Sequence, residues 1–348
     1  MRAAVYYGNS QLKIEDVPEP DVTDGHVKVK VSRNGICGTD LHEYYDGPIF
    51  IPESEPHPLT GKTLPVVIGH EFSGVVTDVG RGVKGIAEGD HVAIEPVYYC
   101  GTCRPCTMGQ TNICKQVGFH GLMADGGMAE YSLVPQHMIH QLPESVSLEM
   151  GALVEPMAVA FHAAQLGNVN EQSQALIFGG GPIGIGLWFA LRGLGLTEID
   201  VVEPVEPRRR ALEALGARTL DPLSVDIPAM IADRTNGDGV DVAYDAAGVV
   251  AAVQSALDCV GERRPLISVA IYQAPLQTPL LNLVLRERRI QGTLCYTADD
   301  YRSVIDLMAG GHYDTSGWVD TIPIENVIED GYEPLHAGAK MKLLVDPS

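Results

Sequence analysis

The sequence is short of positive charge and of aromatic side chains, and it has no long apolar run. Lysine and arginine number 24 against 45 aspartates and glutamates, a formal net charge of −21. A surface this acidic repels phosphate backbones and argues against nucleic acid as a partner. No stretch of about 18 apolar residues is present to cross a bilayer, so no membrane partner is expected. The strand-like opening, Met1–Tyr7, lacks the basic and then apolar stretches of a secretory signal, which predicts a soluble cytoplasmic protein. Cysteine is scarce and odd in number, seven residues, which argues against a fully paired disulfide framework. What is there is ordinary for a globular chain, 45% hydrophobic and 20% charged, and disorder is not expected. At 348 residues the chain outgrows a single core, so two domains are predicted.

The two halves differ in rhythm. Up to about Glu155 the chain reads as short strands broken by glycine and proline: Val27, Val29 and Val31 alternate with polar neighbours, and similar runs recur at Phe72–Val79 and His91–Val97. This half predicts a β domain with little helix. Beyond it, helical stretches at Met157–Leu166, Arg208–Leu215 and Val250–Cys259 alternate with strands at Ala175–Phe178, Ile199–Val202, Val240–Tyr244 and Pro265–Ala270. Such alternation predicts an α/β domain, a parallel sheet covered by helices on both faces. The last fifty or so residues end in a strand-like Met341–Val345.

Four cysteines, Cys100, Cys103, Cys106 and Cys114, lie close enough in sequence to converge on one ion. A closed shell of four thiolates is the preference of structural zinc. The turn after Ala175–Phe178 carries Gly179, Gly181 and Gly184 in the G-x-G-x-x-G order, with Pro182 and Ile183 inside it. Placed between a strand and a helix, this pattern lets backbone approach a pyrophosphate at a helix N-terminus. The next strand ends at Glu203, about 20 residues on, where a carboxylate accepts hydrogen bonds from ribose hydroxyls and selects NAD over NADP. Arg208, Arg209 and Arg210 follow, read as a solvated helix face with Arg208 near the adenine. A phosphate-binding role for them would favour NADP instead. A scattered set, Cys37-Gly38-Thr39-Asp40-Leu41-His42, Gly69-His70-Glu71 and Glu155-Pro156, adds thiolate, imidazole and carboxylate. Three such ligands can hold a second zinc with one position open.

In this order and register, the five motifs resemble the zinc-dependent medium-chain alcohol dehydrogenases across essentially the whole chain. The 2,3-butanediol (acetoin) branch is the most similar, and sorbitol-type polyol enzymes come next. The resemblance implies a GroES-like catalytic domain, residues 1–155 and 297–348, around a Rossmann NAD-binding domain, 156–296. It implies a catalytic zinc on Cys37, His70 and Glu155, with Glu71 able to approach the metal and Asp40 orienting the histidine. Thr39 and His42 would pass the alcohol proton to the surface. The expected reaction converts a secondary alcohol or vicinal diol to a ketone, 2,3-butanediol to acetoin and back, with NAD and two zinc ions per chain. A homodimer or homotetramer joined through the Rossmann domains is implied as well. Glu155 stands where ethanol-oxidising members carry cysteine, a feature of the polyol and butanediol branches. The segment Tyr44–Lys62 lengthens the interval between Cys37 and His70, either as a lip over the site or as a surface excursion. Gly118-Phe119-His120-Gly121 looks like the butanediol branch, and Glu155, His120 and the zinc are candidates to receive a second substrate hydroxyl. Cys259 and Cys295 are expected in the core. A non-catalytic nucleotide-binding structural protein of this architecture would have no need of Cys37, His70 and Glu155 together.

Overall fold

Val27, Val29 and Val31 point inward and are buried, while Lys30 between them is exposed. They lie on the long strand His26–Gly35, the centre of a seven-stranded sheet. Glu71–Val79 pairs with it antiparallel on one side and Tyr131–Pro135 on the other, along His26–Lys30. The C-terminal strand Lys342–Asp346 pairs with its end, at Asn34 and Gly35. A three-stranded sheet of Leu12–Asp16, Arg2–Tyr6 and Val66–Val67 completes the β framework. The structure is a computed structural model that describes residues 1–272, 275 and 280–348. By contacts the chain forms two units. The first is Met1–Glu155 with Thr297–Ala309 and Trp318–Ser348; the second is Pro156–Tyr296 with Gly310–Gly317.

Among the described residues, the second unit has one six-stranded sheet, all parallel. Its spatial order is Arg218–Leu220, Glu198–Val202, Gln174–Phe178, Val242–Asp245, Pro265–Ser268, Arg289–Gly292. Counted along the chain this is 3-2-1-4-5-6, the doubly wound order whose reversal lies between Gln174–Phe178 and Val242–Asp245. The α/β class with a GroES-like and a Rossmann part is therefore observed.

Several elements differ from the sequence reading. The first unit contains the helix Gly38–Asp46, which begins because Cys37 and Asp40 cap each other across its first turn; valine periodicity carries no sign of it. His91–Val97 is not one strand: pairing stops at Ile94, and Val97–Tyr98 turns to pair with Gly118–Phe119 instead. Pro96, which has no N–H to give a ladder, stands at that break. Glu155 falls in the first turn of a helix that starts at Val154. The arginine run is not uniformly solvated. Arg209 turns inward, donating to the Glu203 carbonyl at 2.8 Å and pairing with Asp221 at 3.2 Å, whereas Arg210 stays outside with Glu206. Cys259 is buried as expected, but Cys295 is only half-buried.

His120 is buried in the first unit with its ring stacked on Phe72. Its Nδ1 meets the Tyr98 hydroxyl at 3.0 Å and its Nε2 the Ser132 hydroxyl at 2.8 Å. Both nitrogens are committed, so this histidine is not placed to receive a substrate hydroxyl. Burial pushes its pKa down to about 4, from 6.5. The unfolded chain therefore takes up this proton near pH 6.5, and the folded chain only near pH 4. Stability must fall as pH drops through that window, by about 2 kcal/mol at roughly pH 5 relative to pH 8. Thermal melts of the wild type and His120→Gln over this range should differ in slope by about that amount; parallel slopes would refute the assignment.

Candidate active site

The first unit brings Cys37, His70 and Glu71 together: one ligand atom from each lies within 4.8 Å of the others. Cys37 is fixed by the helix cap, its N–H donating to Asp40 Oδ2 at 2.8 Å. His70 and Glu71 lie where the chain enters the strand Glu71–Val79, and both are buried. Asp40 Oδ1 faces His70 Nδ1 at 3.5 Å, and neither atom has a hydrogen-bond partner. A carboxylate so placed orients the ring and leaves Nε2 as the nitrogen with the free lone pair, the usual support for a metal-binding imidazole. Glu155 is also buried but stands outside the group of three.

The sequence reading missed the cation. Lys342 is buried, donates to the Ile36 carbonyl at 2.9 Å and pairs with Glu71 Oε2. Burial works to lower its pKa, but the charges of Glu71, Cys37 and Glu155 and the hydrogen bond to Glu71 together raise it. The only signal in the sequence is a lysine inside an otherwise apolar strand. Glu71 also explains Gly35, where a Cβ would meet its Oε2 at 2.0 Å. Burial works against a charged His70, but Asp40, Cys37 and Glu155 together raise its pKa well above the ordinary value. A field that would hold a proton on that imidazole would equally hold a divalent cation on its lone pair. The donor set of thiolate, imidazole and carboxylate suits zinc. Thr39 Oγ1 lies 3.6 Å from Cys37 Sγ, and His42 Nδ1 lies 3.8 Å from Asp46 Oδ2 on the more exposed side of the helix.

The four clustered cysteines also converge, all within 4.8 Å of one another. Cys103 Sγ is 3.4 Å from Cys106 Sγ and 3.9 Å from Cys114 Sγ. A tetrahedron of sulfurs about zinc has edges of about 3.8 Å, given Zn–S bonds near 2.3 Å, whereas a disulfide would need about 2.05 Å. Backbone N–H groups of Cys100 and Gln116 donate to Cys114 Sγ, and that of Cys103 to Cys100 Sγ, each at 3.3 Å. The amides of Thr102 and Cys103 hold the Cys100 thiol down to about 6. The cage fits zinc, with no position open to substrate.

In the second unit, the glycines of the Gly-rich turn have different jobs. Gly179 has φ +102°, and a Cβ on Gly184 would meet Gly179 O at 1.9 Å. The fold itself demands both. Gly181 has nothing within 4 Å of its would-be Cβ and caps the helix Pro182–Gly193, with Pro182 at the first turn. Space that the fold does not need, at a helix N-terminus, suits a pyrophosphate. Glu203 is buried beside this turn, Oε2 accepting from Gly180 N at 2.7 Å and Oε1 from Val205 N at 2.8 Å. A carboxylate has about four acceptor sites, so capacity for two ribose hydroxyls remains. Arg208 Nε is buried without a partner.

Known proteins agree. Residues 23–144 match the model of the alcohol dehydrogenase GroES-like domain, and residues 182–310 that of zinc-binding dehydrogenases. The chain is 38% identical to the (R,R)-butanediol dehydrogenase of Bacillus subtilis over the full length of both. It is 34% identical to the enzyme of that name from Neisseria gonorrhoeae, again over both full lengths. The chain belongs to the zinc-dependent alcohol dehydrogenase family. The crystal structure of 2R,3R-butanediol dehydrogenase from B. subtilis superposes with a TM-score of 0.94, covering 100% of this chain and 99% of that one. Membership makes the two glycine roles testable in this dehydrogenase. Gly184→Ala should cost about 1–3 kcal/mol of stability by overpacking, read as a lowered melting temperature. Gly181→Ala should leave stability within about 0.5 kcal/mol yet weaken NADH binding measured by fluorescence. A melting point lowered equally in both variants would contradict the division.

Proposed function

We propose that this dehydrogenase oxidises 2,3-butanediol to acetoin with NAD, and runs the reverse reaction. The observation that carries the proposal is full-length similarity to (R,R)-butanediol dehydrogenases, together with the convergence of half-buried Cys37 with buried His70 and Glu71. In this reading Cys37 and His70 hold the catalytic zinc, with Glu155 as third ligand and Glu71 able to approach the metal. Cys100, Cys103, Cys106 and Cys114 hold the structural ion. When bound, zinc supplies Lewis acidity that lowers the pKa of an alcohol, and NAD supplies the acceptor for its hydride. The protein's own residues do the rest. Asp40 fixes the ring of His70. Thr39 accepts the hydrogen bond of the substrate hydroxyl and starts proton transfer, which ends on His42 near the surface. Gly179, Gly181, Pro182, Ile183 and Gly184 seat the pyrophosphate. Glu203 takes the ribose hydroxyls, and its charge disfavours the 2′-phosphate of NADP; Arg208 lies near the adenine.

A homodimer or homotetramer is part of the proposal. Among the described residues, the strand Arg289–Gly292 is an edge of its sheet and each of its residues is exposed, a template for pairing. The neighbouring helix leaves Leu280, Leu281, Val284 and Leu285 68%, 69%, 72% and 73% exposed. Four cysteines that converge at metal-ligand spacing, not in disulfides, suit a reducing compartment, and the cytoplasm is proposed as the location.

Kinetics with NAD should give 2,3-butanediol a kcat/KM above that of 2-butanol by roughly ten- to hundredfold, because the second hydroxyl finds a polar partner. Sorbitol as the best substrate would move the chain to the polyol branch. Metal analysis should return two zinc ions per chain. Cys37→Ser should remove one, together with activity, and leave the fold; Cys103→Ser should instead lower the melting temperature, because a structural ion contributes to folding. Full activity in Cys37→Ser would sink the site.

A further inference from the structure

The helix that begins at Cys37 carries a second buried carboxylate, Glu43, which neither the metal group nor the proton route uses. It is 1% exposed. No lysine, arginine or histidine is paired with it among the described ion pairs; backbone amides surround it instead. Oε2 accepts from Ile49 N at 3.0 Å, and Oε1 from Phe50 N at 2.5 Å and Ile51 N at 3.3 Å. The Glu43 carbonyl is occupied too, by the Tyr6 hydroxyl at 2.5 Å and by Gly47 N at 3.0 Å. Gly47 packs so closely here that a Cβ would meet Glu43 O at 2.3 Å and Glu43 Cα at 2.7 Å. Three consecutive amides on one buried carboxylate fix the backbone of a loop that has no regular partner of its own.

The direction in which the loop is fixed matters. Glu43 follows Thr39 by four residues and Asp40 by three, the spacing of one helix face. The loop leaves the far end of the helix at Asp46 and returns to this face. Ile51 is then buried in the same core cluster as Ile36, the residue before Cys37, and Tyr332, whose hydroxyl feels the charges of Asp40 and Cys37. Ile49 and Phe50 go the other way. Their amides are held, but their side chains remain 51% and 41% exposed. Two large apolar residues are thus exposed on a backbone that their own amides pin to the helix bearing Thr39.

We propose that Glu43 is a positioning residue for substrate selection. It holds Ile49 and Phe50 as an apolar lip whose place limits the carbon chain of the alcohol bound at Thr39. The proposal rests on the alcohol-oxidising reading of the site but not on butanediol as the substrate. It makes part of the extended segment Tyr44–Lys62 a selecting element and not a surface excursion.

Three variants test it: Glu43→Ala, Glu43→Gln and Phe50→Ala. Hydrogen exchange followed by mass spectrometry should show faster exchange over Ile49–Ile51 in Glu43→Ala, with the helix Gly38–Asp46 still protected. Secondary alcohols graded from 2-butanol to 2-octanol then read the selectivity. In Glu43→Ala the KM for 2-butanol should rise by about tenfold with kcat within about twofold, the pattern of lost binding and not of lost chemistry. The preference for 2-butanol over 2-octanol should fall by a similar factor. Phe50→Ala should lower that preference without changing exchange, and Glu43→Gln, which keeps one carbonyl acceptor, should lie between wild type and Glu43→Ala. Equal losses on every alcohol, or exchange that rises over the whole helix, would overturn the proposal. A wild type that turns over alcohols of this series but no diol would remove the butanediol reading and leave this test intact.

Discussion

A largely buried excess of acidic groups is the constraint around which the first unit is arranged. The charges of Asp40, Cys37 and Glu155 act together on His70, and those of Glu71, Cys37 and Glu155 on Lys342, the cation buried with them. Uncompensated charge of this kind costs several kcal/mol per ion, so the surroundings must supply positive potential or lose the arrangement. Lys342 supplies part of it from a strand at the other end of the sequence. A divalent ion bound by Cys37 and His70 would supply the rest. The strand Lys342–Asp346 thereby ties the C-terminus to the metal-binding region by charge as well as by pairing with His26–Gly35.

Backbone hydrogen bonding does comparable work where side chains cannot. Sulfur-directed amides shape the four-cysteine cage, and amides of Gly180 and Val205 seat Glu203 beside the Gly-rich turn. In the loop after the helix Gly38–Asp46, three amides converge on Glu43. Beside the Gly-rich turn, backbone placed in this way leaves space that the fold itself does not require. The contrast between Gly184, which collides if given a Cβ, and Gly181, which meets nothing, is the clearest case.

Much of this was legible in the sequence because it rests on local spacing. The cysteine cage and the strand–glycine turn–helix unit are each confined to a short stretch. Their geometry follows from chain stiffness and from the chemistry of thiolates and phosphates. The alternation of strand and helix likewise announced the doubly wound sheet. The helix Gly38–Asp46 was missed because its cap, not its apolar periodicity, defines it. His120 was misjudged as available because nothing local shows that Tyr98 and Ser132 occupy both of its nitrogens.

The sequence by itself determined the fold class, the family and the residue types available to each site, since these depend on neighbours along the chain. Only the tertiary structure decided how they are used. It placed Glu71 with Cys37 and His70 and left Glu155 outside that group; it brought Lys342 to Glu71, turned Arg209 inward, and folded Ile49–Ile51 back onto Glu43. Each of those outcomes depends on an electrostatic or hydrogen-bonding partner that a strand crossing or a loop closure brings near. Whether a charged or polar group is satisfied is settled by what surrounds it in space, and the order of residues along the chain does not encode that locally.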